Sequence, residues 1–213
     1  MPLFFNNDTI IKKGLFFLKV FKWTAACCLL AGLTACGHSN GIQIKEADLS
    51  KTEKYRMEIA SSESGAAVVT GVTKDLAAAQ MYIEHYQNGK LADKAGPLES
   101  DYGGDVNKPK ALQFIFYTDR EDKGKKEKVK VRFGIVDDSG KVSADAVFTR
   151  YQGDDRASVF ISSAEPVTYG KPVLIGASVK NSGEPVNMSR DKKMLISHSD
   201  ALLYYVKVNK QGG

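Results

Sequence analysis

The chain has 213 residues, of which 43% are apolar and 26% charged, a composition that excludes a disordered, collagenous or multi-span membrane protein. Its formal net charge is +5, but four lysines and one aspartate before residue 36 account for +3, which leaves +2 for residues 36–213. This nearly balanced charge gives no electrostatic footprint for nucleic acid. We therefore expect no nucleic-acid partner.

The N-terminal segment has the order of a secretory signal peptide. Residues 12–22 carry the four lysines, and residues 23–35 then run without a charge. The uncharged run is shorter than the roughly 20 apolar residues of a permanent membrane-spanning helix. A basic region before a short apolar region predicts a signal helix that is cleaved on export. The stretch before Lys12 is unusually long for such a signal, and a true start near Lys12 would explain it.

The end of this segment resembles the lipobox of bacterial lipoproteins. Leu33-Thr34-Ala35-Cys36 places an aliphatic residue and two small residues before a cysteine. The resemblance implies that the Cys36 thiol receives a diacylglyceryl group and that cleavage occurs between Ala35 and Cys36. It also implies a protein anchored, through lipidated Cys36, to the extracytoplasmic side of the cell membrane or of an outer membrane. A buried N-terminal helix with three incidental cysteines is the alternative.

The rest of the chain is expected to form a tether and one domain. Residues 36–54 are polar and lack aromatic side chains, which predicts a flexible tether. Residues 55–213 are predicted to form a single domain. Since Cys27, Cys28 and Cys36 are the three cysteines of the sequence, cleavage before Cys36 leaves no second thiol for a disulfide. The domain must be stabilised by its core, which a chain of this length can supply.

Short blocks of alternating apolar and polar residues, separated by turn-forming residues, predict antiparallel strands with one buried face. The blocks are 55–59, 66–72, 112–116, 129–135, 146–151, 159–161, 173–179 and 202–208. Turns are expected at 137–140, 153–155 and 181–183. The predicted fold class is mainly β, an antiparallel β-sandwich of about eight strands, with which an immunoglobulin-like topology is compatible.

Two segments are less regular. Residues 75–87 have high helix propensity, but they also fit a strand that enters an Asn88-Gly89 hairpin, and we favour the strand because the neighbouring segments are strands. Residues 119–130 alternate in charge and contain Gly124, which predicts an exposed hairpin loop. A calcium loop there would lack the regular acidic spacing of known oxygen cages.

Motifs of catalysis or metal binding are missing from the sequence. The three histidines are separated: His38 lies in the predicted tether, His85 in the ambiguous segment and His198 in an expected turn. Ser189 and Lys192 match Ser-x-x-Lys of penicillin-recognising enzymes, but the partner motifs of those enzymes are absent. We therefore expect no catalytic residue, no metal site, no cofactor and no enzymatic activity.

Aromatic side chains are the remaining candidates for binding. Tyr102, in the sequence Asp-Tyr-Gly-Gly-Asp, is predicted to be an exposed aromatic on a loop that contacts an envelope protein or glycan. The favoured function is a membrane-anchored, non-enzymatic binding domain. One alternative is a carrier of a small apolar ligand inside a β-barrel. Another is an envelope enzyme with a carboxylate pair, either Asp101/Asp105 or Asp154/Asp155.

Overall fold

Two antiparallel β-sheets make up most of the computed structural model of this chain, which describes residues 41–103, 109–123, 126–151, 155–181 and 189–212. These residues belong to one unit, Gly41–Gly213. The predicted signal peptide, residues 1–35, and the lipidation site Cys36 lie outside the described residues.

The described residues contain eleven strands and two helices. The strands are β1 (Gln43–Glu46), β2 (Glu63–Thr70), β3 (Leu76–Gln87), β4 (Lys90–Asp101), β5 (Ala111–Lys123), β6 (Lys126–Val136), β7 (Lys141–Tyr151), β8 (Asp155–Phe160), β9 (Glu165–Pro166), β10 (Val173–Asn181) and β11 (Asp200–Lys210). The helices are α1 (Lys51–Ala60) and α2 (Lys192–Ile196). Sheet A has the order β7-β6-β5-β2-β1-β9 and sheet B the order β4-β3-β11-β10-β8.

The main core lies between the inner faces of the two sheets. The apolar residues that alternate along β5 and β6 face those of β3 and β11. Phe116 of sheet A stacks on Tyr204 of sheet B, with ring centroids 3.9 Å apart. The predicted β-sandwich is confirmed. Its strand orders differ from the ABED and CFG orders of immunoglobulin domains, since β11 lies between β3 and β10 in sheet B and β5 lies between β6 and β2 in sheet A.

The ambiguous segment 75–87 forms a strand, β3, and the strand prediction is confirmed. It pairs with β11 on one side and β4 on the other. Asn88 and Gly89 both have positive φ, 49° and 78°, as a two-residue hairpin turn of the favoured kind requires. Tertiary pairing on both sides outweighs the helix propensity of its alanines, because helix propensity is a weak preference.

Two segments near the start of the fold differ from the sequence predictions. The range 36–54, predicted as a tether, contains β1, which pairs with β2 and β9, and the first turn of α1. Residues 55–59, predicted as a strand, lie in α1. The helix begins with a capping box in which the Ser50 hydroxyl accepts from the Glu53 backbone and the Glu53 carboxylate accepts from Ser50.

The charged run 119–130 also differs from its prediction as a long exposed loop. Strands β5 and β6 continue through it, and their pairing extends to Lys123 and Lys126. Thr118 and Glu127 are buried inside the sandwich. The predicted hairpin is present, but its strands are longer than predicted. Polar side chains such as Thr118 and Glu127 continue the inward faces of β5 and β6.

Candidate functional site

A network of charged side chains fills one end of the space between the sheets. This end is where β3, β5, β7 and β10 finish and where β2, β6, β8 and β11 begin. We call it the charge network, and its members are Glu63, His85, Arg120, Glu127, Arg150, Arg156, Ser178, Lys180 and Asp200.

Asp200 is the centre of one half of the charge network and is fully buried. Its Oδ2 lies 3.0 Å from Nε2 of His85 and 3.4 Å from Nε2 of Gln87, and its Oδ1 accepts from Nε of Arg150. Burial alone would raise the pKa of Asp200, but the hydrogen bond from His85 and the charge of Arg150 outweigh it and lower that pKa below 3.8. The carboxylate is therefore held in its charged form.

Arg150 connects this carboxylate of sheet B with a second strand of the same sheet. Its Nη1 donates to the Ser178 hydroxyl and its Nη2 to the Ser178 carbonyl, both at 3.0 Å. The His85 ring lies edge-on to Phe148, with centroids 5.6 Å apart. Each of the three guanidinium nitrogens thus donates a hydrogen bond, which offsets part of the loss of water on burial.

Glu127 is the centre of the other half and is also fully buried. Its carboxylate pairs with Nζ of Lys180, with Nη2 of Arg156 at 2.9 Å, and with Nε of Arg120 at 3.4 Å. Arg120 also pairs with Glu63. Since Glu127 belongs to sheet A whereas Lys180 and Arg156 belong to sheet B, these ion pairs join the two sheets.

The charge network has a structural arrangement rather than a catalytic one. His85 is 2% exposed and Asp200 is not exposed at all. Both oxygens of Asp200 are occupied by protein donors, and the Ser178 hydroxyl bonds to Arg150 instead of to a histidine. A nucleophile or a general base must reach its substrate, and His85 and Asp200 have no such access among the residues that the structure describes.

Sequence reasoning did not identify the charge network, although the alternation of the strands contains its signal. Glu127 precedes Val129, Val131 and Phe133 on the inward face of β6. In the same way Asp200 precedes Leu202 and Tyr204 on β11. A charged residue that continues an apolar alternation by one step is thus a candidate for an inward-facing position.

The residues that the sequence singled out lie apart from the charge network. Tyr102 is only 3% exposed, so the prediction of an exposed aromatic is wrong. It belongs to the main core, and its hydroxyl donates to Asp137 at the opposite end of the sandwich. Burial and the hydrogen bond to Asp137 raise the pKa of Tyr102. The ring of this loop tyrosine is apolar, so packing it in the core removes it from water while its hydroxyl keeps a hydrogen-bond partner.

The other residues that the sequence singled out as candidates for catalysis do not form a common site among the described residues. The Asp101 carboxylate accepts from the Gly103 backbone at 2.7 Å. Asp105, Asp154 and His38 lie outside the described residues. His198 lies in the bend between α2 and β11, as predicted for a turn residue. The Ser189 hydroxyl accepts from the Asp191 backbone at 3.2 Å, and Lys192 pairs with Glu84 at 3.0 Å.

The outer face of sheet B is covered by its own side chains and by α2. Leu195 of α2 packs with Tyr86, Leu203 and Tyr205 in a second apolar cluster. Tyr82 stacks on Tyr205 with centroids 5.1 Å apart. Burial raises the pKa of Tyr205 to about 12, against the opposing charge of Lys192. This face is therefore largely closed.

The outer face of sheet A is more open. Helix α1 contacts it through the buried Met57, which packs with Ala47 and Ala66. Two surface grooves of about 400 and 570 Å³ flank Ala47, the first beside α1 and the second beside Lys110 and Asp137. Both are open to solvent rather than enclosed by the sandwich.

The part of the chain that the structure describes holds no group of three or more His, Cys, Asp or Glu side chains placed to bind a metal ion. No helix among those residues is long and apolar enough to cross a membrane. These findings concern the described ranges alone.

The fold and its buried ion pairs define a two-sheet antiparallel β-sandwich protein whose interior is charged at one end. The YgaN domain family matches residues 43–208 of the sequence, so the chain belongs to that family. It is similar to a protein of Bacillus subtilis (strain 168) with the name "Uncharacterized protein YgaN", with 42% identity over 178 residues that cover 83% of this chain and 99% of the relative. No solved structure matches the chain.

Proposed function

We propose that this protein is an exported lipoprotein, anchored through Cys36, whose β-sandwich is a non-enzymatic binding domain at the cell envelope. The observation that carries the proposal is the lipobox Leu33-Thr34-Ala35-Cys36, which directly follows a lysine-rich segment and an uncharged run. Its partner is an envelope protein or a glycan.

The start of the fold is compatible with an anchor at Cys36. The described domain begins at Gly41, and β1 begins at Gln43. The five peptide steps from Cys36 to Gly41 span at most about 18 Å at 3.6 Å per residue. An acylated Cys36 therefore keeps the sandwich close to the bilayer, nearer than a tether that reached residue 54 would.

The charge network supports a binding function over an enzymatic one. His85 and the carboxylates of Glu127 and Asp200 are buried and occupied by protein partners, so they stabilise the fold. Asp105 and Asp154, which the carboxylate-enzyme alternative requires, lie outside the described residues. That alternative needs a pair of carboxylates that a substrate can reach.

The core gives less support to the apolar-carrier alternative. Side chains of the two inner faces touch across the sandwich, as the stacking of Phe116 on Tyr204 illustrates. A carrier needs an enclosed apolar cavity of several hundred Å³. The grooves beside Ala47 have that volume, but they are open and lined by charged residues as well as apolar ones.

Intact mass spectrometry of the protein extracted from its native membrane tests the anchor. We expect a mass that corresponds to residues 36–213 plus a diacylglyceryl group, with or without a further acyl chain. The Cys36→Ala variant should lack this mass and leave the membrane fraction. Cys28→Ala is the matched control and should behave like wild type. An uncleaved, unmodified wild-type chain would contradict the proposal.

A further inference from the structure

Exposed apolar side chains are concentrated on the outer face of sheet A. Four of the six large apolar residues that the described ranges expose belong to this side: Tyr55 (63% exposed), Ile59 (88%), Val147 (57%) and Tyr151 (48%). The other two, Leu91 and Met194, lie on β4 and α2 of the sheet B side. The two faces of the sandwich are thus unequal.

Helix α1 presents two exposed apolar side chains, Tyr55 and Ile59, away from sheet A. Met57 points onto sheet A, and Tyr55 and Ile59 lie two positions before and after it, on the opposite side of a helix with 3.6 residues per turn. Being four residues apart, Tyr55 and Ile59 form one continuous patch. Contiguous exposed apolar surface marks interaction sites, so this pair is a candidate for one.

Basic side chains lie beside Val147 on the same face of sheet A. Lys128, Lys130 and Arg132 are exposed along β6, between Val147 of β7 and the helix side of the face. Asp145 is the carboxylate that Lys130 and Arg132 share, each at 2.8 Å. Exposed apolar side chains beside long basic ones are typical of surfaces that lie at the interface of an anionic bilayer.

We propose that the outer face of sheet A, with α1, lies against anionic lipid head groups when Cys36 is acylated. This inference rests on the proposed function, because the anchor supplies the bilayer. The chain leaves Cys36 and enters sheet A itself at β1, which begins seven residues later, after at most about 25 Å. Anchoring raises the local concentration of lipid around this sheet, so a weak interfacial contact is sufficient.

Tryptophan reporters test the orientation. The one Trp of the sequence is Trp23, in the predicted signal peptide, so a mature chain carries no background tryptophan, and excitation at about 295 nm avoids its tyrosines. Lipidated full-length variants Y55W and V147W are reconstituted into phosphatidylglycerol vesicles with brominated acyl chains. L91W and M194W are the matched controls, since they replace exposed apolar residues on the sheet B side. We expect quenching at 55 and 147 to exceed that at 91 and 194 at least threefold.

A second variant tests the charge contribution. The triple substitution K128Q/K130Q/R132Q in the Y55W background should at least halve the quenching in phosphatidylglycerol vesicles. The control K90Q/K94Q removes two exposed lysines from β4 and should leave it unchanged. Both variants change surface side chains only, and thermal unfolding of each checks that the sandwich is intact.

The outcomes separate this inference from the proposed function. An unlipidated mass for the reconstituted protein contradicts the proposed function. A lipidated protein that shows equal quenching at all four positions, or none at 55 and 147, contradicts the orientation alone. A blue shift at position 55 without quenching by brominated lipid would mean that protein covers the face, and it would overturn the proposal.

Discussion

The two ends of the sandwich interior join the sheets by different physical means. At one end, apolar residues such as Leu112, Ile135 and Val208 are excluded from water. At the other, Asp200 and Glu127 are held by basic side chains of the facing strands. Apolar contacts are non-directional and tolerate small rearrangements, whereas buried ion pairs need all of their partners. We therefore expect the charge network to fix the pairing of the sheets more strictly than the apolar end does.

Removal of the Asp200 carboxylate is expected to have the largest effect. D200A leaves the Arg150 guanidinium buried without its counter-charge, and such a loss costs about 3–5 kcal/mol of the free energy of unfolding. Urea unfolding at pH 7 measures it. The double variant R150M/D200L replaces both charges with apolar groups and should regain most of the loss. A change below about 1 kcal/mol in D200A would contradict the role of the charge network.

Truncation at the apolar end is expected to cost somewhat less. Leu112 is fully buried in the main core, so L112A removes apolar contacts and leaves a cavity, at a cost of about 2–5 kcal/mol in the same unfolding assay. L112M conserves most of the volume and should cost less than about 1.5 kcal/mol. If L112M were as damaging as L112A, the apolar end would be no more tolerant than the charged end.

The same contrast explains how far the sequence predicted the structure. The β-sandwich and most strands followed from alternation, because residues such as Val129, Val131 and Phe133 mark an inward face unambiguously. Strand β4 was missed because it is an exposed strand at the edge of sheet B, and exposed edges carry no apolar alternation. Glu127 and Arg120 were assigned to a loop, since charge is normally read as a sign of exposure.

Long-range partners account for the remaining errors. Asp200 and His85 are 115 residues apart in sequence, and only the pairing of β3 with β11 brings them together. Tyr102 was predicted to be exposed from its Gly-rich surroundings, but it packs into the core and reaches Asp137. The alternation of the strands marks Glu127 and Asp200 as candidates for inward-facing positions, but local composition contains no information about which residues pair with them.

Overpacking at the border of the charged end is expected to have a moderate effect. A Cβ at Gly65 would lie 2.7 Å from Cε1 of Phe116 and 2.7 Å from Cε2 of Phe160. Phe116 cannot yield easily, because its ring stacks on Tyr204. G65A should therefore lower the free energy of unfolding by about 1–3 kcal/mol. In the control G41A, where nothing lies within 4 Å of the added Cβ, a change of less than about 0.5 kcal/mol is expected.

A pH titration of stability should give the smallest effect, because burial opposes the interactions that lower the pKa of Asp200. The hydrogen bond from His85 and the charge of Arg150 nevertheless hold this pKa below 3.8 in the folded state. As the pH falls below about 4, the unfolded chain binds a proton at this site before the folded chain does, so stability is lost. The difference in unfolding free energy between wild type and D200N should therefore shrink from pH 6 to pH 3. The difference between wild type and L112A should stay constant, since Leu112 does not titrate. If the difference in unfolding free energy between wild type and D200N were also constant from pH 6 to pH 3, Asp200 would not bind its partners in the charged form.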